Sequence, residues 1–391
     1  MDVNILMFVI NIFVFVFGGG MLMILPQLTR KSYLFGVKIP QEEANCPEAI
    51  AMRKQYVRTC LVGSFVLLVI CIVQFVFAPG FTALATIYLP LLIIPLQLAA
   101  FVPSWKKAVL LKAERGWQVS SSVFADTGSS HTRGTLSALP WSWYVISLAL
   151  IIAMVILAVE RYPYLPEMIP GHLDANMQPT RYVPTTLISV FTLPIVNIAT
   201  LIVLFCVGMA FEKAKLQIDS HDPRGSFVQH QRYRKRIGNV IGFLAFVLVV
   251  FMGTTWLLMI FPVSPEMGRN VFWGNMVLFH GAIVAFIATK VKSGQGGCKI
   301  KVELDDTETL SHDKTPSVKP KRVGRGDDRY WKLGMFYYNP DDPAFVVEDR
   351  FGTNLGPNYG RVPVKIAVAL FGIGFVVLYV WLTIMMTSGT F

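Results

Sequence analysis

The side chains best placed for chemistry are the few polar ones set inside long apolar runs. Away from the run ends these are Asn11, Gln74, Gln97, Asn197, Asn275 and His280, with no Asp, Glu, Lys or Arg among them. Polar groups are costly in hydrocarbon, so each implies a hydrogen bond or a function. His280 alone would change charge near neutral pH. It reads as a proton relay or ligand contact, or as an interhelical hydrogen bond to a group such as Asn275 or Asn197. Gly18, Gly19 and Gly20 read as a close helix approach or as a break that exposes backbone. The spacing of Gly238 and Gly242 fits a further helix contact. A second group lies between two apolar runs, where His172, Asp174, Asn176 and Arg181 could meet a ligand. His172 and Asp174 lack a third metal ligand, so no metal site is expected, and support of the loop is the plain alternative. The chain has no Walker sequence, no HExxH and no GxSxG. A protein without enzymatic activity and without a cofactor is therefore expected.

The elements that must hold these groups are membrane spans. The chain has 391 residues, 54% apolar and only 15% charged, against about 25% charged in soluble domains. Runs of roughly 20 apolar residues are needed to cross a bilayer. Eight such runs occur, at 5–25, 60–78, 81–102, 141–159, 183–211, 237–261, 271–291 and 363–387. The second and third are separated by a Pro79-Gly80 turn signal, which predicts a tight helical hairpin. The odd-numbered connections hold 30 Lys and Arg residues and the even-numbered ones 3. By the positive-inside rule the odd connections are cytoplasmic and both termini face outward. The net charge of +11 is then a matter of topology and anionic lipid, and no nucleic-acid partner is expected. Residues 1–25 lack a basic leader and a cleavage site, and so read as a retained first helix.

The expected organisation begins with three helices at 1–102 enclosing a loop at 26–59, followed by a cytoplasmic loop at 103–140. Two helices at 141–211 flank an outer loop at 160–182, and a basic loop with two helices fills 212–291. A flexible linker at 292–326, an aromatic cytoplasmic unit at 327–362 and a last helix at 363–391 complete the chain. In the first loop, 35–39 reads as extended, with a helix start near Gln41 to Glu43 and another after Pro47. The third helix should continue through 105–117 into headgroups, and 118–139 could hold a short strand. The outer loop has Pro163, Pro166, Pro170 and Pro179, with Pro184 just beyond, and reads as ordered but irregular. In the aromatic unit, 333–338 and 344–347 could pair around the turn at 339–343. So small a unit needs support, which the helix ends and the 35–40 loop could give. Tyr330, Trp331, Tyr337 and Tyr338 are its candidates for binding a cytoplasmic protein partner.

Pro166, Ile169, Pro170, His172, Pro179 and Tyr182 form a pattern that resembles the outer-loop module of bacterial SdpI-type membrane proteins. At Asp174, Met177 and Thr180 the chain departs from that pattern. The 30–40 and 327–360 segments resemble companion modules of Firmicutes-type membrane proteins of uncharacterised role. The SdpI resemblance implies immunity to a secreted antimicrobial peptide, or signalling that holds a repressor at the membrane. The resulting expectation is an all-α integral membrane protein: an eight-helix transmembrane bundle with a small, partly β cytoplasmic unit before the last helix. It would sit among the lipids of a bacterial plasma membrane and sense, or give immunity to, an outer peptide or lipid-derived ligand. A transporter or permease component, with Gly18 to Gly20, Asn197, Asn275 and His280 lining a path, is the alternative. A structural subunit of a membrane complex is the third reading.

Overall fold

The computed structural model describes residues 3–119, 139–174, 177–213, 223–261, 263–302, 324–351 and 355–387. Among these residues, eight helical stretches are long and apolar enough to cross a membrane. The protein is a multi-pass, all-α membrane protein with four small strand pairs among the described residues.

Helix α1 (Val3–Leu28) runs unbroken through its glycines. A Cβ on Gly19 would lie 2.3 Å from the Ser64 Oγ, and one on Gly18 2.7 Å from the Ile93 Cδ1. The close-packing reading therefore holds for these two. Next come β1 (Tyr33–Leu34) and β2 (Val37–Lys38), joined by Phe35 and Gly36 at φ of 45° and 79°. This is a two-residue hairpin turn that calls for glycine at its second position. Helix α2 (Pro47–Phe77) starts on Pro47, whose missing N–H is harmless in a first helical turn. The turn expected at Pro79 leads to α3 (Thr82–Tyr88) and α4 (Ile93–Glu114). The third span is thus two helices joined by a 3-10 turn at Leu89–Leu92. Pro90 has no N–H to donate, which interrupts the α-helical ladder there. Helix α4 continues past Lys106, Lys107 and Lys112, as the sequence suggests.

Helices α5 (Trp141–Arg161), α6 (Leu187–Lys213), α7 (Pro223–Ile260) and α8 (Pro265–Ser293) form the second half, packed around α7. The 38 residues of α7 span about 57 Å, well beyond a hydrocarbon core. Its first turns carry the basic cluster at 229–236, ahead of the apolar run that begins at Ile237. Between α5 and α6 the expected irregular loop is instead an antiparallel hairpin, β3 (Met168–Leu173) with β4 (Pro179–Pro184). Val183 and Pro184 belong to this hairpin, not to the fifth span. Each strand of a two-stranded ribbon has one unpaired edge, where proline is tolerated. Register shifts between Pro170 and His172, and again before Leu173, absorb the remaining misfit.

The aromatic unit also pairs differently from expectation. β5 (Trp331–Lys332) pairs with β6 (Phe336–Tyr337) across Leu333 and Gly334, both at positive φ, and β7 (Val346–Glu348) pairs with β8 (Leu355–Pro357). The 339–343 turn does not join two paired strands but is a loop that Asn358 and Asp342 hold in place. The Asn358 amide donates to the carbonyls of Asn339 (2.8 Å) and Ala344 (3.1 Å), and its Oδ1 accepts from the Asn339 N–H (3.0 Å). The flexible linker is corrected at both ends. Gln295, Gly296 and Gly297 are buried after α8, and Arg325 is fully buried against Asp342 at 2.6 and 2.9 Å. Residues 303–323, and the strand expected near 123–126, lie outside the described residues. Helix α9 (Val362–Thr387) meets α3 through Tyr379, whose hydroxyl donates to the Ile87 carbonyl at 3.3 Å.

Candidate functional site

Residues from several odd-numbered connections gather on one face of the bundle. The end of α1 delivers Arg30, the start of α7 delivers His230 and Tyr233, and the end of α8 delivers Lys290. The following turn adds Gln295, and β7 with its next residue adds Glu348 and Asp349. The Arg30 guanidinium lies 3.1 Å from the Glu348 carboxylate and 2.7 Å from the His230 Nε2, which is itself 3.2 Å from Glu348. His230 is aligned by its Nδ1, 2.7 Å from the Ser226 carbonyl. Gln295 bridges the group, accepting from the Arg30 N–H at 3.0 Å and donating to the Asp349 carbonyl. The Lys290 ammonium donates to the Tyr233 hydroxyl at 3.2 Å and lies 5.3 Å from the Phe211 ring centre.

Burial alone would raise the Glu348 pKa, but Arg30 and His230 outweigh it and hold the carboxyl at about 2. Asp349 is pushed the other way, to about 7, by burial and by the neighbouring Glu348 charge, with Lys290 opposing. Adjacent carboxyls thus differ sharply in acidity because only one has a guanidinium beside it.

This network fastens the aromatic unit to the helices. Fully buried Arg350 donates to the Gly36 carbonyl at 3.0 Å and the Arg325 carbonyl at 2.9 Å, pairs with Asp328 and stacks on Trp331. Lys112 reaches Asp328 at 2.6 Å, while the Phe351 ring lies 4.6 Å from Phe101 and 5.8 Å from Phe35. The support expected from the helix ends and the 35–40 loop is present.

The opposite face carries the β3–β4 hairpin and a cleft of about 450 Å³ between it and the ends of α7 and α8. Ile169, Leu173, Met177 and Tyr182 line the hairpin side, with Leu258 to Phe261, Ser264, Pro265 and Gly268 opposite. Among the described residues, Arg161 is the one charged residue lining it. Its guanidinium lies 5.3 Å from the Phe261 ring centre, and its Nε has no hydrogen-bond partner among the described residues.

Residues 148–198 match a domain of unknown function, DUF1648. The matched stretch takes in most of α5, the whole hairpin and the first turns of α6, and so includes Arg161 and one wall of the cleft. No curated protein matches the chain, and no solved structure matches it.

Within the DUF1648-like stretch, the sequence-derived ligand residues serve the hairpin itself. His172 pairs with the Thr180 hydroxyl at 2.6 Å, and Asp174 accepts from the Gln178 N–H at 2.8 Å to close the turn. Arg181 is cross-strand from His172, and Asn176 lies outside the described residues. His172, Asp174 and Arg181 do not line the cleft. The intramembrane groups do not converge either. The Asn197 amide donates to the Val249 carbonyl at 3.4 Å and Asn275 to the Thr254 hydroxyl at 2.5 Å. His280 bonds to the Met276 carbonyl of its own helix at 2.7 Å and packs edge-on to Phe13. It meets neither Asn275 nor Asn197, whose amide nitrogens donate to α7. On the aromatic unit, Trp331 and Tyr337 are core, at 4% and 1% exposure, so they offer no partner surface. Tyr338, Phe336 and Phe345 are exposed, and Tyr330 is partly so.

Sequence reasoning missed Arg161, Arg30, His230 and Glu348. Arg161 had a usable signal, a single cation at the end of an apolar helix before a proline-rich turn. The other three lie up to 318 residues apart, and no local pattern joins them.

Proposed function

We propose that the chain is a non-enzymatic, ligand-responsive protein of the bacterial plasma membrane that senses, or gives immunity to, an envelope-active peptide or a lipid-derived ligand. In this reading the hairpin face looks outward and the aromatic unit lies in the cytoplasm, where Tyr338, Phe336 and Phe345 meet a protein partner. One observation carries the proposal. Helices α7 and α8 line the cleft at one end, through Leu258 to Phe261 and Gly268, and enter the ionic network at the other, through His230 and Lys290. A ligand that favours one packing of these helices would therefore bias how the aromatic unit is held. The resemblance of the hairpin to the SdpI-type module supports the same reading. The separate engagement of Asn197, Asn275 and His280 gives a transport path no support.

The test is to delete the protein and challenge the cells with envelope-active peptides while measuring solute uptake in vesicles. Sensitisation without a change in flux is expected. Unchanged sensitivity together with altered uptake that His280→Ala abolishes would overturn the proposal in favour of transport. No phenotype, but co-purification with a fixed partner, would favour a structural subunit instead.

A further inference from the structure

The cleft itself restricts what can occupy it. Its lining is largely apolar, so an occupant must bring apolar surface. Arg161 stacks on Phe261 and makes no ion pair among the described residues. A guanidinium presents a planar fork of donors that suits a carboxylate. With one cation among the described residues lining the cleft, a single negative charge is balanced, whereas a phosphate monoester would bring a second without compensation. A volume of about 450 Å³ lies toward the small end of ligand pockets, which fits one apolar chain better than a diacyl lipid. The Gln178 amide and the Tyr182 and Ser264 hydroxyls add neutral polar groups around the lining.

We infer that the cleft takes a single apolar chain ending in a carboxylate, with Arg161 as the residue that reads the charge. This rests on the proposed role of the hairpin face as the ligand-binding face. Two sources share this chemistry, the C-terminus of an apolar peptide and a fatty acid.

The experiment uses the full chain in zwitterionic lipid nanodiscs. Affinities are measured for acetyl-Leu-Leu-Phe as free acid and as carboxamide, and for dodecanoate and dodecanamide. The wild type should bind at least one acid about tenfold more tightly than its amide, as expected for a charge-assisted pair. Arg161→Gln should erase that advantage, Arg161→Lys should retain part of it, and Leu173→Trp should weaken acid and amide alike by filling the cleft. The acid that shows the larger preference identifies the source. Equal binding of acid and amide, or a preference that survives Arg161→Gln, would overturn the inference and leave the proposed ligand-binding face standing. Failure of all four probes to bind the wild type would overturn both. If phosphatidylglycerol in the nanodisc abolishes the preference, the cation belongs to a phospholipid headgroup, and the inference is also overturned.

Discussion

Glu348 and Asp349 show how two adjacent carboxyls acquire opposite roles. Glu348 is clamped by Arg30 and His230, and its pKa of about 2 lies below the ordinary range. Its contribution to stability is complete above the unfolded value near 4.5 and is lost as pH falls toward 2. Removing one member of such a buried set strands the others, so Glu348→Gln should destabilise the fold by about 3–5 kcal/mol, read from denaturation in mild detergent at pH 7. Asp349 has the reverse sign. With a folded pKa of about 7, the native state holds a proton that the unfolded state has already released, so stability falls as pH rises from about 4 to 7. Asp349→Asn should flatten that slope and raise the melting midpoint at pH 7.5; an unchanged slope would mean that another group titrates there. These residues could not be read from the sequence as a set. Arg30 looks like a flanking charge after an apolar run and His230 like one member of a basic cluster, and only the tertiary fold brings them together.

The elements divide into those with a strong local signal and those without. Apolar runs of membrane length and the Pro79-Gly80 turn fixed the helices, because in hydrocarbon the backbone must satisfy itself within each span. The β3–β4 hairpin was hidden because proline argues against a strand in general, yet a two-stranded ribbon has edges that accept it. Pairing in the aromatic unit was misjudged for a related reason. Its turn is set by Leu333 and Gly334 at positive φ, while the more conspicuous Asn-Pro-Asp-Asp-Pro stretch is held by Asn358. Gly36 yields a prediction at this scale. A Cβ there would lie 2.1 Å from the Gly334 carbonyl oxygen, at a φ of +79° that disfavours side chains. Gly36→Ala should therefore loosen the aromatic unit, seen as faster backbone hydrogen exchange across the Trp331–Tyr337 strand pair; unchanged exchange there would show that the hairpin turn does not hold the unit. On the other face, Met177 packs where a Gly268 Cβ would be, 3.0 Å away. A disulfide between Met177→Cys and Gly268→Cys should hold the hairpin against α8 and abolish protection against envelope-active peptides. Full protection with the bond formed would show that the hairpin need not move.

For the molecule as a whole, the account depends on a division of labour between two faces. Residues from different odd-numbered connections meet in one network, as Arg30, His230 and Gln295 do, so these connections share a side. That clustering follows the segregation of Lys and Arg in the sequence, where 30 lie in odd connections and 3 in even ones. The cleft was not legible, because it is formed by hairpin residues and helix ends that no single periodicity links. Which face meets the environment is the claim on which both ligand proposals stand, and labelling of single cysteines by an impermeant thiol reagent on intact cells tests it directly. Gln178→Cys on the hairpin and Lys332→Cys on the aromatic unit are both exposed positions. The account predicts labelling of Gln178→Cys in intact cells and of Lys332→Cys only after the membrane is opened; the reverse pattern would contradict it.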